Sequence, residues 1–189
     1  MPETRPPIDL KGISLPELQK LIEERRLPPV DKWDPPACGQ SRMRIASDGT
    51  WYHDDRPIGR PAMVRLFSTI LRREADGTHV LVTPVEKLQI DVERTAFRAI
   101  EMRTDGCGRE RTIAFALDSG DAVVLGSEHP LHLVQDANGP SPRILVRHGL
   151  EAELSRRVYY ELAEIALEEA GDPPGIWSNG CFFPLAASK

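Results

Sequence analysis

The chain has 189 residues, 40% of them hydrophobic and 28% charged, and its formal net charge is −5 at pH 7. This length suffices for one large domain or two small ones, and the composition is that of an ordinary globular fold. Nucleic-acid-binding domains carry a basic stripe and membrane helices carry long apolar runs, and the sequence has neither, so no nucleic acid and no membrane is predicted as a partner.

The N-terminal third predicts one helix and a small hairpin. Residues 1–13 are rich in proline and are expected to be extended. Ser14 and Glu17 form an S-x-x-E capping box, which predicts a helix from Ser14 to about Arg26. Further on, Asp48-Gly49 separates two short apolar segments, a pattern typical of a β-hairpin.

A second helix and two strands are predicted before residue 93. The helix begins at Pro61 and is stopped by Asp76-Gly77. Strands are expected at His79–Thr83 and at Leu88–Val92. The apolar stripe that predicts the helix is Met63, Leu66, Phe67, Ile70 and Leu71.

The C-terminal half is predicted to be mainly strands with one long helix. The helix runs from about Glu151 to Ala170, where Gly171 ends it. A final strand is expected at Trp177–Leu185. The preceding strands are predicted at Phe97–Met102, Ile113–Leu117, Ala122–Leu125, Leu131–Gln135 and Arg143–Arg147.

One series of elements occurs twice. Strand, turn, helix, glycine and strand follow each other in residues 50–83 and again in residues 143–185, at an offset of 92 residues. Two related units would each bury a helix on a sheet, and the crevice between them is a favoured place for a ligand. Coincident helical periodicity is the alternative explanation.

No motif of a familiar enzyme is present. The sequence lacks glycine-rich phosphate loops and a G-x-S-x-G elbow, so neither a catalytic residue nor a cofactor is predicted. His129 and His132 would point to opposite faces of a strand, which favours a surface turn over a zinc site. Cys107, near three arginines, is a hairpin tip or a reactive thiol. The three cysteines are far apart and form no CxxC pair, so no disulfide framework is expected.

Five polar residues are the candidate ligand-binding residues. Thr83, Glu86 and Lys87 lie in a turn between two apolar strands. Arg60 and Arg147 each precede a predicted helix, whose N-terminus adds positive potential for an anionic ligand. A surface ion pair in the turn and structural salt bridges for the arginines are the alternatives.

Two tryptophans complete the candidate site. Trp51 and Trp177 each fall in the β part of one repeat copy. They either pack in the core or stack on a planar ligand such as a base.

Segments in both halves of the chain match a known family. They are Trp51–Arg60, Val64–Phe67, Leu81–Glu86, Ile90–Glu93, Leu150–Ala152, Arg157–Glu161, Trp177–Gly180 and Phe183–Leu185. On these segments the chain resembles the bacterial DUF1285 family of unknown function, over about residues 39–185. This resemblance implies a duplicated α+β core, a C-terminal half similar to a pleckstrin-homology (PH) domain, a nucleotide-type ligand at the domain interface and a role in signal transduction. Where the family reads Val-Glu-Asp-x-Pro-Phe, this chain has Arg94 and Ala96, which would alter the charge of a site lined by that turn.

These observations predict an α+β protein with an N-terminal extension (1–38), an N-terminal unit (39–92) and a PH-like C-terminal unit (93–189). The function expected is that of a non-enzymatic small-ligand sensor in bacterial signal transduction, with a nucleotide-like anion at the interface. A protein-interaction scaffold with a protein partner is the alternative, and an unrecognised hydrolase that uses Glu86 or Lys87 is a third. The absence of an apolar leader segment makes the cytoplasm the expected compartment.

Overall fold

The structure is a computed structural model that describes residues 6–137, 139–169 and 171–185. Over these residues it is a mixed α+β protein with three α-helices, α1 (Leu15–Glu24), α2 (Pro61–Thr69) and α3 (Arg156–Glu168). The strands are β1 (Ala37–Ile45), β2 (Trp51–His53), β3 (Arg56–Pro57), β4 (Leu71–Arg73), β5 (His79–Val82), β6 (Glu86–Val92), β7 (Phe97–Asp105), β8 (Thr112–Leu117), β9 (Ala122–Val124), β10 (Leu131–Asp136), β11 (Gly139–Arg147), β12 (Leu150–Leu154), β13 (Gly175–Ser178) and β14 (Cys181–Pro184).

Two six-stranded sheets have the same topology. The first has the order β3-β2-β1-β6-β5-β4, and the second, read from its far edge, has the order β9-β8-β7-β12-β11-β10. In each sheet the first and sixth strands of the unit, β1 with β6 and β7 with β12, form a parallel pair at the centre. The remaining pairs in both sheets are antiparallel.

The predicted duplication is therefore confirmed, but the two copies have different bounds. The repeated unit is β1–β6, residues 37–92, and β7–β12, residues 97–154. The predicted copies matched β4–β5 to β13–β14, because hairpin, helix and hairpin follow each other at both places. However, β4 and β5 belong to the first sheet, whereas β13 and β14 form a separate two-stranded sheet.

Two helix predictions were correct in position and wrong in extent. Helix α2 begins at Pro61 as predicted but ends at Thr69, because Leu71 leaves the helix to pair with Leu81 of β5. The predicted long helix begins at Arg156, since residues 150–154 form strand β12. Residues at one end of each predicted helix therefore belong to strands instead, to β4 and to β12. Helix α3 is capped by Ser155, whose side chain accepts a hydrogen bond from the backbone N–H of Val158.

The capping box and the Asp-Gly turn correctly predicted α1 and the first hairpin, whereas the last strand was predicted incorrectly. Ser14 caps α1, and both hydrogen bonds of the predicted capping box with Glu17 are present. The Asp48-Gly49 turn joins β1 to β2, and Ile45 pairs with Trp51 across it. The predicted last strand is instead a hairpin, β13–β14, in which Ser178 pairs with Cys181.

One continuous apolar core joins both sheets, α3 and the β13–β14 hairpin. A smaller cluster lies on the outer face of β8 and β9, where residues 8–18 cover Ala114, Ala116 and Ala122. Strand β8, which was predicted at Ile113–Leu117, is therefore buried on both faces. None of the helices in the described segments has the length and apolar character needed to cross a membrane.

Candidate functional site at Arg147

Arg147 lies where the two sheet units meet. From β11 its Nη1 lies 3.1 Å from Asp121 Oδ2, and its Nη2 donates a 3.1 Å hydrogen bond to the carbonyl of Ser68 in α2. The guanidinium carbon is 4.9 Å from the ring centroid of Phe97. Only 12% of the side chain is exposed, and burial lowers the pKa of Arg147 while the carboxylate of Asp121 opposes this shift. This arginine therefore connects the first unit to the second.

A second arginine shares the same carboxylate. Arg25, just after α1, places Nη1 3.0 Å from Asp121 Oδ1 and 3.2 Å from the carbonyl oxygen of Gly120. Its Nη2 donates to the carbonyl of Pro6 at 2.5 Å. Two guanidinium groups thus compete for one carboxylate, and the cluster keeps an excess of positive charge.

Three buried polar atoms around the β8–β9 turn have no hydrogen-bond partner within the described segments. They are Nε of Arg65, Oγ of Ser119 and Nε of Arg147. Arg65 reaches the turn from α2, and a Cβ at Gly120 would lie 3.0 Å from its Cδ, so the positive φ of Gly120 and this contact both require glycine. Buried polar atoms in folded proteins are nearly always paired. Unpaired donors at one place indicate a site for water or a ligand.

A cavity of about 160 Å³ adjoins Arg147. It combines the shared carboxylate and both arginines with mainly aliphatic walls. Its lining residues are Ile8, Ile22, Arg25, Leu27, Asp121, Ala122, Val123, His129, Val146 and Arg147. The ring of His129 is oriented by a 3.0 Å contact between its Nδ1 and the carbonyl oxygen of Leu145.

The β8–β9 turn also contacts the first unit through Asp118. Its carboxylate accepts a 3.1 Å hydrogen bond from the backbone N–H of Arg98, and a Cβ on Gly49 would lie 2.6 Å from it. Arg98 in turn donates to the carbonyl of Asp48 at 2.8 Å. Burial raises the pKa of Asp118 to about 6, against the opposing effect of Arg98. Since the residue as a whole remains exposed, solvent screens part of this shift.

Of the seven predicted site residues, Arg147 lines the cavity described above. The reason given for it was wrong, because Arg147 precedes strand β12 and no helix starts there. Arg60 lies directly before α2 as predicted, at the N-cap position, but its side chain makes no capping hydrogen bond. The residue is exposed and lies at the opposite end of this helix from Ser68. Eight residues of helix separate the two by about 12 Å. The expected convergence of these two arginines is not found.

The polar groups of the predicted turn at Thr83–Lys87 bond to each other and to neighbouring carboxylates. Oγ1 of Thr83 accepts a 3.2 Å hydrogen bond from the backbone of Glu86, and Glu86 is exposed. Nζ of Lys87 lies 3.8 Å from Glu74 and 4.0 Å from Asp34. These contacts agree with the alternative of a turn with an ion pair, and none of the three residues lines the cavity at Arg147.

The tryptophans pack against protein groups. Trp51 is 4% exposed and stacks on Phe67 with ring centroids 6.3 Å apart. The ring of Trp177 lies 4.7 Å from the guanidinium of Arg109 and 5.3 Å from the ring of Phe182. Both rings therefore have partners that belong to the chain, and neither lines the cavity.

The departure from the family pattern at Arg94 has a structural explanation. Its guanidinium is 2.6 Å from Asp136 and 2.7 Å from Glu153, so two carboxylates of the second sheet neutralise it. The hydrogen bonds that Arg94 donates to Glu153 are the main reason that the pKa of Arg94 is raised. Arg94 therefore attaches the segment before β7 to strands β10 and β12. Its charge is compensated by these two carboxylates, and Arg94 does not line the cavity.

Sequence reasoning missed Asp121, Arg25, Arg65 and Ser119. Arg25 and Asp121 are 96 residues apart, and no short motif contains both. One signal was available: two aspartates bracket Ser119-Gly120 in a turn between strands with almost no polar residues. Within the described residues, no group of three or more histidine, cysteine or acidic side chains is placed to hold a metal ion.

These features define a two-unit α+β protein with a duplicated six-stranded sheet and an arginine-lined cavity between the N-terminal segment and the second sheet unit. The model of the DUF1285 N-terminal domain, a domain of unknown function, matches residues 28–95, and that of the DUF1285 C-terminal domain matches residues 96–185. The chain belongs to the DUF1285 family, as its sequence resemblance implied.

Two solved structures are similar to this chain. A DUF1285 family protein from Silicibacter pomeroyi DSS-3 has 43% sequence identity and a TM-score of 0.80, over 89% of this chain and 92% of that one. A DUF1285 family protein from Shewanella baltica OS155 has 21% identity and a TM-score of 0.51, over 65% and 90% of the two chains. At that identity the second likeness concerns the fold alone. No curated protein matches the sequence.

Proposed function

We propose that this protein is a non-enzymatic sensor module of bacterial signal transduction that binds a small anionic ligand in the cavity at Arg147. It would act in the cytoplasm. The observation that carries the proposal is the buried guanidinium of Arg147, which lines the cavity and whose Nε has no hydrogen-bond partner among the described residues. Since α2 and the β8–β9 turn both contact this side chain, a bound anion would be sensed by both units.

The charge of the cluster favours an anion. Arg147 and Arg25 share Asp121, and Arg65 adds a third guanidinium beside the same turn. Three positive charges face one negative charge, so the net charge of this group is +2. Guanidinium groups bind phosphate and carboxylate groups through charge-assisted and often bidentate hydrogen bonds.

The size of the cavity limits the ligand. A volume of about 160 Å³ is below the range of about 300–1,000 Å³ that is usual for pockets that enclose drug-sized molecules. It corresponds to roughly five water molecules at about 30 Å³ each. A phosphate or carboxylate group fits inside, whereas the sugar and base of a nucleotide-like ligand would extend beyond the cavity.

Thermal-shift measurements test this proposal. Phosphate, pyrophosphate, AMP and acetate at about 1–10 mM are compared, and a ligand that binds the folded state raises Tm. We expect a rise with at least one phosphate-containing anion, and its loss in Arg147→Met. Arg65→Met replaces this variant if Arg147→Met does not fold.

The control variant is Arg157→Gln, whose side chain is 79% exposed on α3 and should keep the full shift. The absence of any anion-dependent shift in the unchanged protein would refute the proposal.

One observation favours a second candidate function. This function is a protein-interaction scaffold that uses the PH-like unit or the first sheet. The residues of β1 from Ala37 to Gln40 are exposed and pair with β6 on one side, whereas β2 pairs only with Met43–Ile45. Strand addition to such an edge is a common mode of peptide binding. A purified stoichiometric partner whose binding is lost in Ala37→Pro, but kept in the exposed-turn variant Val85→Asp, would favour this function over the sensor.

A further inference from the structure

We infer that residues 6–27, here called the N-terminal strap, form a movable wall of the cavity and that Arg25 latches this wall. The identity of the ligand rests on the proposed function, but the opening of the strap can be measured without a ligand. Four of the ten residues that line the cavity, Ile8, Ile22, Arg25 and Leu27, come from the strap. The site is therefore incomplete when the strap is displaced. The strap also precedes the part of the chain matched by the family models, which begins at residue 28.

The strap is attached differently from the sheets. Among the described residues, one backbone hydrogen bond joins the strap to the rest of the chain, from Ile8 N–H to the carbonyl of Gly120 at 2.8 Å. Arg103 of β7 adds a side-chain clamp, because its Nη1 donates to the carbonyls of Leu10 and Ile13. No strand pairing fixes the strap within the described part of the chain.

The apolar anchor of the strap is small and separate from the main core. Ile8, Leu10, Leu15 and Leu18 pack on three alanines of β8 and β9, which give a shallow surface. Segments with few apolar contacts and few backbone hydrogen bonds open at a lower free energy than the sheets to which they are attached. The strap is therefore expected to open without unfolding of the sheets.

Arg25 holds the strap at the mouth of the cavity. It bonds to Asp121 and Gly120 on the second sheet and to the carbonyl of Pro6 at the other end of the strap. Both ends of the strap are thus tied at one point. An anion held between Arg25 and Arg147 would add a bridge from the strap to β11 and would favour the closed position.

Thiol labelling of a cavity residue tests the movable wall. Val146 is 3% exposed and lines the cavity, so a cysteine in Val146→Cys reacts only when the cavity opens. Arg103→Gln removes the clamp without changing a lining residue. We expect labelling of this cysteine, followed by peptide mass spectrometry, to become about tenfold faster in Arg103→Gln, because two hydrogen bonds from a charged donor are lost.

Two controls separate local opening from unfolding. Val80→Cys, in β5 and 4% exposed, reports unfolding of the first sheet and should label at an unchanged rate in Arg103→Gln. Arg157→Gln, on the exposed face of α3, should leave labelling of the cavity cysteine unchanged. Equal acceleration at both cysteines, or no acceleration at the cavity cysteine, overturns the strap as a wall that moves. Val123→Cys, which also lines the cavity, is used if Val146→Cys does not fold.

The latch is tested separately. Arg25→Gln should accelerate labelling of the cavity cysteine without any ligand, and an unchanged rate would refute the latch. Phosphate at about 10 mM should slow labelling of the cavity cysteine in Val146→Cys and have no effect when Arg25→Gln is added to this variant. If no anion binds in any assay, the proposed function fails while the labelling results still decide whether the strap opens. If anions bind but labelling does not depend on Arg103 or Arg25, the strap fails and the proposed function stands.

Discussion

Asp121 is the carboxylate that separates two buried guanidinium groups, those of Arg25 and Arg147. In Asp121→Asn the guanidinium groups of Arg25 and Arg147 would face each other without a negative charge between them. Removal of one partner from a buried ion pair costs about 3–5 kcal/mol. Because Arg25 keeps its bonds to two backbone carbonyls, we expect the free energy of unfolding to fall by about 3 kcal/mol, measured by urea denaturation.

Glu161→Gln is the matched control for this substitution. Glu161 pairs with Arg157 on the surface of α3 at 2.9 Å, and such exposed pairs contribute about 0–1 kcal/mol. A loss in Asp121→Asn no larger than that of the control would show that the arginine cluster does not depend on this carboxylate.

Asp118 gives the protein a pH dependence with a defined sign. Its pKa is raised from 3.8 to about 6 by burial, so the folded state holds this proton more tightly than the unfolded chain does. The resulting stabilisation is present below about pH 4 and is lost as the pH rises through about 6. Asp118→Asn should therefore gain stability relative to the parent protein between about pH 4 and about pH 7, measured as the difference between urea midpoints.

Asp76→Asn is the control of opposite sign. Hydrogen bonds from Thr78 lower the pKa of Asp76, so its stabilisation is fully present above about pH 4 and is lost as the pH falls below that value. The difference in urea midpoint between Asp76→Asn and the parent protein should therefore stay constant between about pH 4 and about pH 7 and shrink at lower pH. If both variants followed the pH dependence of the parent protein, neither group would be linked to folding.

At the scale of single elements, the caps of α1 and α3 are expected to affect different processes, local opening for α1 and global unfolding for α3. Ser14 caps α1, which packs in the small outer cluster, and Ser155 caps α3, whose Val158, Leu162 and Ala166 lie in the main core. Loss of a serine cap costs about 1 kcal/mol. Ser155→Ala should lower the global free energy of unfolding by that amount, whereas Ser14→Ala should mainly accelerate hydrogen exchange in residues 15–24.

Hydrogen exchange read by mass spectrometry, together with urea denaturation, separates these two outcomes. Equal effects of the two substitutions on global unfolding would contradict the separation of the outer cluster from the core.

Elements defined by short-range chemistry were predictable from the sequence. The capping box of α1, the Asp48-Gly49 hairpin and the proline start of α2 depend on residues within a few positions of each other. The start of α3 was not predictable by the same periodicity, because Leu154 lies four residues before Val158 and also continues the alternation of Leu150 and Ala152 in β12. Ser155, a residue type that favours the N-cap position, was the signal that separates the end of β12 from the start of α3.

The candidate site depends on contacts between distant parts of the chain. Arg147 was identified from its charge and from a predicted helix start that is occupied by strand β12 instead, and its partners were not identified. Asp121 precedes it by 26 residues, and Ser68 precedes it by 79. The contact with Asp121 follows from strand order within the second sheet, and the contact with Ser68 follows from the packing of one unit on the other. No local pattern encodes either.

At the scale of the whole molecule, the duplication brings two similar sheets together around one core. The central parallel pair, β1 with β6 and β7 with β12, recurs in both units. The units differ in what surrounds the sheet: α2 is inserted between the third and fourth strands of the first, and α3 with the β13–β14 hairpin follows the second. The cavity at Arg147 is lined by the N-terminal segment and the second unit, and Arg147 also contacts α2 through the carbonyl of Ser68. Because α2 has no counterpart at that position in the second unit, this contact depends on a feature in which the two copies differ.

A shared core predicts that both units unfold together. Trp51 belongs to the first unit and Trp177 lies in the C-terminal hairpin, yet the apolar cluster that includes Trp51 and Phe97 extends through both sheets without a break. Separate unfolding of one unit would expose the apolar surface of the other, so a single cooperative transition is expected. The measurement compares tryptophan fluorescence with far-UV circular dichroism during urea denaturation, in one variant that keeps only Trp51 and in another that keeps only Trp177. Within each variant the two midpoints should coincide, and a reproducible separation would show that the units unfold independently and that the core between them is weak.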